Sequence, residues 1–509
     1  MSSNQHFIGK ALLELCFLFS LIFTGCQKSL DKPLLGQYSN TTFYQTQLQA
    51  VQAVNAAYQP LSFTSATSNP IWVFGDVASD DAVAGGNPGD ENDITLIDKF
   101  NITPSNGNLG NEWNTLYEGI TRCNMVLAKV PAISMEDTLK TRILGEARFL
   151  RAWYYFNLVI VFGDVPVILQ PMNADQLQIT QSPVKVIYES VIENDLKLAT
   201  GMLPEFYSSG DVGRATQGAA ISLLAKAYLF QQKWDSSTIY SSAVISGNHY
   251  AMTKNYSQNF SPSYKNNSES VFEVQMISGQ TPQIGNALNQ WFAPAVYAGY
   301  YFDAPTQSFV DEFEKTPAGV YDPRLDYSIG RDSMNWFNNL VFSASWSPTG
   351  YLSRKNQESF TQAPIIGDGN CDYTAIRYAD LLLWNAESLN EQGKTAEALI
   401  PLNLVRKRAR ESCLNDTTLP ALKDTSGNRL VPPNLLPDIT AIDQATVRAA
   451  IQHERRVELG MEFHRYFDVI RWGQAYATMV MANSPGFNYD NDKSFPIPQT
   501  ERDTNKALQ

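Results

Sequence analysis

The sequence predicts a mostly α-helical protein, in which a superhelix of stacked helix pairs supports a loop-rich lobe with a few short strands. Three observations predict it. Two segments, Arg214 to Ser246 and Ile376 to Arg410, show the same pattern of two amphipathic helices joined by a tight polar turn. Between them, residues 251–375 are rich in Gly, Pro, Asn, Ser and aromatic rings, a composition of long loops. Within that stretch Glu269 to Gln275 alternates polar and apolar residues, as a strand does.

In the first helix pair Thr216 can cap through its hydroxyl, and Ala220, Leu223, Leu224, Ala227 and Tyr228 recur at helical spacing. In the second pair Ala379, Leu382, Leu383 and Ala386 do the same, with Gln392-Gly393-Lys394 as the turn. Small residues facing large ones across a short turn resemble tetratricopeptide repeats. Such pairs bury their apolar stripes only by stacking on neighbours. Further helices are expected over Thr41 to Tyr58, Glu112 to Val130, Thr138 to Val161, Val184 to Ala199, Val447 to Leu459 and Phe463 to Trp472. Gly163 and Pro166 stop the third of these. A shorter irregular stretch runs from Pro70 to Gly110, and loops this long are usually functional.

The chain has 509 residues, 44% hydrophobic and 17% charged, so it is globular rather than disordered. A formal net charge of −13 with no basic block excludes nucleic acid as a natural partner. Aromatics reach 12%, and a surplus on the surface would suit sugar rings. Lys10 followed by an apolar run from Ala11 to Phe23, broken by Glu14, is too short for a bilayer span and fits a signal peptide over residues 1–25. Thr24-Gly25-Cys26 resembles a bacterial lipobox, in which Cys26 becomes the acylated N-terminus. Residues 26–40 then read as an extended tether. Cys123, Cys371 and Cys413 are widely spaced and read as buried thiols with at most one bridge.

Five segments, in order, resemble the SusD/RagB family. They are Glu146 to Phe156 with Phe162-Gly163-Asp164-Val165-Pro166; Gly213-Arg214-Ala215-Thr216 leading to Leu229; Ile376 to Leu383 with Glu387; Glu454 to Leu459 with Glu462, Arg465, Asp468 and Ile470-Arg471-Trp472-Gly473; and Phe495-Pro496-Ile497-Pro498 with Glu501. The resemblance implies a surface lipoprotein of Bacteroidetes-type bacteria without a cofactor. It would bind a glycan, or sometimes a peptide, as the lid of a TonB-dependent, SusC-like outer-membrane transporter. It also implies an N-terminal helical region at 41–250, a ligand-facing loop region at 251–375 and a C-terminal helical region at 376–509.

The ligand site is expected among Trp72, Asp80, Asp81, Trp291, Tyr297, Tyr300, Trp336 and Trp346, rings to stack on sugar faces and carboxylates to accept hydroxyls. For each ring taken alone, burial beneath the loops is the commoner fate. Asp76, Asp80, Asp81, Asp90, Glu91 and Asp93 could gather a calcium ion, but without EF-hand spacing a solvated loop is the simpler reading. Glu454, Glu458 and Glu462, with Arg455, Arg456 and Arg465 nearby, read as structural ion pairs rather than as an acid/base pair. No Gly-x-Ser-x-Gly or HExxH motif occurs, and Gly393-Lys394-Thr395 lacks the upstream glycine of a phosphate loop. The chain is therefore read as a non-enzyme. The rival is a glycoside hydrolase using Asp80 and Asp81, which needs facing carboxylates ~5–9.5 Å apart. A third reading is a pure assembly scaffold, holding its partner on the concave helical face.

Overall fold

The computed structural model describes residues 43–508, apart from residues 66–67, 174–175, 177, 209, 360 and 417–421. The expected leader, the tether and Cys26 lie outside the described residues.

The first long helix, α1 (Gln47–Tyr58), starts at Thr46. The Thr46 hydroxyl accepts the Gln49 amide, and the Gln49 side chain accepts the Thr46 amide in return. It packs on α2 (Gly107–Lys129), which pairs with α3 (Asp137–Phe162). From Phe149 to Val159 every α3 side chain is buried. A helix apolar all round belongs in the interior, and α3 is the axis of the N-terminal half. Next comes a helical run whose middle, Tyr188–Ile192, is a π turn before α4 (Glu193–Met202).

The two helix pairs of the sequence are α5 (Gln217–Phe230) with α6 (Trp234–Gly247), and α7 (Tyr378–Glu391) with α8 (Thr395–Asn415). Thr216 caps α5 through the Ala219 amide, as expected. The pairs meet along α6 and α7, although the loop-rich stretch separates them in sequence. Small polar residues make that seam close: Ser388 donates to Ser237 at 2.9 Å, and Asn385 donates to Ser241 and Ser242 at 2.9 Å. Then α9 (Gln444–Leu459) packs on α7 and α8, and α10 (Arg465–Arg471) follows it. No described helix is long and apolar enough to cross a membrane.

Strands pair only in twos among the described residues. β1 (Ala82–Gly85) joins β3 (Phe302–Pro305), β2 (Ser270–Val274) joins β6 (Tyr373–Arg377), and β4 (Ile329–Gly330) joins β5 (Leu352–Ser353), all antiparallel. The expected strand at Glu269 to Gln275 is thus β2. Its partner β6 takes Ile376 and Arg377, which the periodicity had assigned to the following helix. The stretch from Pro70 to Gly110 is also less irregular than expected, since it holds a π-helical turn at Val73–Val77, β1 and a helix at Asn92–Asp98.

Scaffold and lobe are joined by buried charge. Arg324, with no exposed side-chain surface, donates to Asp322 at 2.7 Å, Glu454 at 2.5 Å and Glu458 at 3.0 Å. Arg377 reaches Glu269, Glu458 and Glu462, while Arg408 reaches Glu269 and Glu458. Burial alone would raise the Glu458 carboxyl, yet Arg408, Arg377 and Arg324 hold it down at about 2. The carboxylates of α9 are structural, but their partners differ from the expected ones. Arg455 turns to Asp380 and Asp468, and Arg456 to Asp80, Asp81 and Glu312. Helical spacing put acids and bases on one helix. The fold gives each of them partners on other elements.

Candidate functional site

Four loops converge on the face of the lobe: residues 85–90 after β1, 286–301 before β3, 336–346, and 357–369. Asn286 sets the second of them. Its amide and carbonyl pair with Gly369 at 2.8 and 2.9 Å, its side chain donates to the Cys371 carbonyl, and it caps Leu288. Gln290 then braces the turn, donating its side-chain amide to the Ala298 carbonyl while its own carbonyl takes the Tyr300 amide. The Tyr301 hydroxyl donates to Asn87 and ties in the first loop. The Tyr297 hydroxyl donates to the Phe337 carbonyl at 2.8 Å and ties in the third.

The rings form two groups. In one, Trp72 is the floor, 1% exposed and covered by Phe292 and Phe302. Trp291 stacks on Phe302 at 5.1 Å and is half-buried, and Tyr300 leans on Trp291 at 5.5 Å with 44% of its surface exposed. In the other, Trp336 is buried against Phe342 and Leu352, with Tyr297, Tyr301, Phe337 and Trp346 half-buried around it. Gly330 is required there, since a Cβ on it would lie 2.3 Å from the Trp336 ring.

Tyr297 and Trp336 border a narrow recess whose polar wall is Asn289, Gln290, Gln357 and Glu358. Asn289 Oδ1 and Glu358 Oε2 are buried and have no hydrogen-bond partner among the described residues. Burial raises the Glu358 carboxyl, against the Cys371 and Asn370 amides that its other oxygen accepts. The recess holds about 20 Å³. That admits one hydroxyl or water, not a sugar ring, so a ring would lie across the mouth.

The candidate residues therefore separate. Tyr297, Tyr300, Trp291 and Trp346 reach the surface of the lobe, whereas Trp72 and Trp336 belong to its core. Asp80 and Asp81 do not face the recess. Arg465 holds Asp80 by two bonds, of 2.7 and 3.0 Å, and Arg456 holds Asp81 at 2.7 Å. Burial would raise Asp80, but Arg465 and Arg456 keep it below the usual range. Burial pushes Asp81 up to about 6 against the same two arginines. The six acids do not gather as one set: Asp76 and Asp81 are buried close to Asp303, where burial and the neighbouring charges raise the Asp76 and Asp303 carboxyls, Asp90 and Glu91 are exposed, and Asp93 accepts the Gly107 amide. Sequence reasoning missed Asn289, Gln290, Gln357 and Glu358. The only available signal was amide and acid side chains close to the rings in the loop-rich stretch.

His453 lies between Glu312, at 2.6 Å from Nδ1, and Glu314, at 3.2 Å from Nε2. Glu314, His453 and Glu454 have the spacing of metal ligands. Arg406 already bridges Glu314 and Glu454, so the positive charge there comes from the protein. Cys123, Cys371 and Cys413 are free and buried.

Comparison with known proteins supplies the lineage. The model of the SusD family matches residues 268–509, and one described as starch-binding associating with outer membrane matches residues 68–229. A SusD-like protein of Bacteroides ovatus is 25% identical over 89% of this chain and 81% of its own length. A SusD-like carbohydrate binding protein of Bacteroides fragilis has a similar structure, with a TM-score of 0.79 and 26% identity, over 92% of this chain and 100% of that one. A laminarin binding SusD-like protein aligns with a TM-score of 0.73 and 26% identity, over 92% of this chain and 99% of its own. With its helical scaffold, its order of motifs and these matches in agreement, the chain belongs to the SusD/RagB family.

Proposed function

We propose that this protein captures a glycan at the outer-membrane surface, anchored through an acylated Cys26, and passes it to a TonB-dependent transporter. The observation that carries the reading is Tyr297, at the edge of a recess walled by amides and by a carboxyl oxygen without a partner among the described residues, with Tyr300, Trp291 and Trp346 reaching the surface of the same lobe. Rings stack on the apolar faces of sugars, and a buried acceptor without a partner is satisfied by a ligand hydroxyl. The carbohydrate-binding relatives support the ligand class. On the same lobe Val296, Leu340, Val341 and Ile366 are exposed, which suits a protein partner closing over the ligand. Both carboxylates of the hydrolase rival are tied to arginine, and this favours capture over cleavage.

Calorimetric titration with laminarihexaose, maltohexaose and cellohexaose tests the reading. Binding of one of them, weakened about tenfold in Tyr297→Ala and Tyr300→Ala and without release of reducing sugar, is the expected result. Flat titrations across glycans would overturn it.

A further inference from the structure

We infer that the protein carries a second saccharide site, in a recess on its helical side between Phe206 and Tyr250. The inference rests on the proposed glycan-binding function but uses none of the same residues. The recess holds about 410 Å³, inside the ~300–1,000 Å³ range of small-molecule sites and far roomier than the one between the loops. Three segments build it: the link between α4 and α5, the end of α6, and the approach to β2.

The walls are fixed. The Tyr250 hydroxyl lies 3.0 Å from Thr216 Oγ1, the Tyr207 hydroxyl donates to the Ala215 carbonyl at 3.0 Å, and Phe272 is the buried floor. At the mouth Phe206 is 75% exposed, more than Tyr264, Tyr300 or Tyr321. A second opening of about 730 Å³ lies beside the first and is also lined by Phe206 and Tyr207. Phe206 thus stands as a ridge between two open spaces, an arrangement that offers its ring faces for stacking.

The charges of the recess disfavour an anionic ligand. Arg214 is committed to Asp211 at 2.6 Å and Glu146 at 3.0 Å, and at the rim Glu205 lies 3.8 Å from His249. Burial, reinforced by neighbouring Asp372, raises the Glu273 carboxyl, against the Asn266 amide that it accepts. Rings and hydrogen-bonding side chains, with the lining arginine already paired and Glu205 exposed at the rim, suit a polyhydroxylated molecule without negative charge.

The test uses the whole folded protein and the tightest binder among laminarihexaose, maltohexaose and cellohexaose. Wild type is expected to bind two molecules. Phe206→Ala, on an exposed side chain, and Ser268→Trp, which obstructs the recess, should each weaken one step at least tenfold. Tyr297→Ala should weaken only the other step. A single binding step, lost in Tyr297→Ala and untouched by Phe206→Ala and Ser268→Trp, would overturn the second site and leave the loop site standing. Loss in Phe206→Ala but not in Tyr297→Ala would do the reverse. Absence of binding in wild type would overturn both.

Discussion

Trp72 and Tyr300 belong to one group of rings, yet to different energetics. Trp72 is sealed beneath Phe292 and Phe302, so Trp72→Ala should cost about 3–5 kcal/mol of stability. Tyr300 is exposed, so Tyr300→Ala should shift stability by no more than about 0.5 kcal/mol and act on ligand affinity instead. Urea unfolding of the two variants separates these roles. Arg324 is a third kind of residue. Removing its guanidinium leaves Asp322, Glu454 and Glu458 buried against one another, and Arg324→Met should lose about 3–5 kcal/mol in the same measurement. At this scale the sequence was least informative. It named rings and acids, but whether a ring is covered depends on loops far away in the chain. Asp80 and Asp81 illustrate it, since their arginines lie in the last helices.

Elements were far more legible. Apolar spacing found every long helix, because that signal is local, as are the Thr216 cap and the Gly393 turn; the bounds were looser, with α1 starting six residues late, α2 five early and the helix from Val184 broken by a π turn before α4. What failed was non-local. β6 forms because β2 offers it a ladder, and the π turn at Val73–Val77 is braced by the Phe463 amide bonding Asp76. Two glycines test how context outweighs local preference. In α2, Gly110 has nothing within 4 Å of a Cβ, and Gly110→Ala should stabilise by about 0.5–1 kcal/mol. Gly75 sits in the π turn, where a Cβ would lie 2.2 Å from the Phe463 carbonyl oxygen, and Gly75→Ala should destabilise by about 1–3 kcal/mol or more. Thermal melts of both variants against wild type decide the matter.

For the whole molecule, pH acts through the contact between lobe and scaffold. His453 is raised to about 9 because the Glu312 and Glu314 bonds outweigh burial, which alone would lower it. Its contribution is full below its ordinary value of 6.5 and is lost as pH rises through about 9. Glu312 and Glu314 lie at about 2, held down by His453 and by Arg456 and Arg406 respectively, against burial. Their contribution is full above the usual carboxylate range and is lost as pH falls towards 2. The melting temperature of wild type minus that of His453→Gln should therefore shrink between pH 6.5 and 9. A difference that stays constant across that interval would contradict the assignment.

The buried charges also impose an order on how the protein is made. Glu458 is 134 residues beyond Arg324 and 81 beyond Arg377. A polypeptide emerging amino end first exposes Arg324 and Arg377 with only Asp322 and Glu269 to offset them, well before Glu454, Glu458 and Glu462 have arrived. Closure of the lobe on the scaffold accordingly waits on the final stretch, and a chain cut short ahead of residue 454 should leave Arg324 without two of its three buried carboxylates.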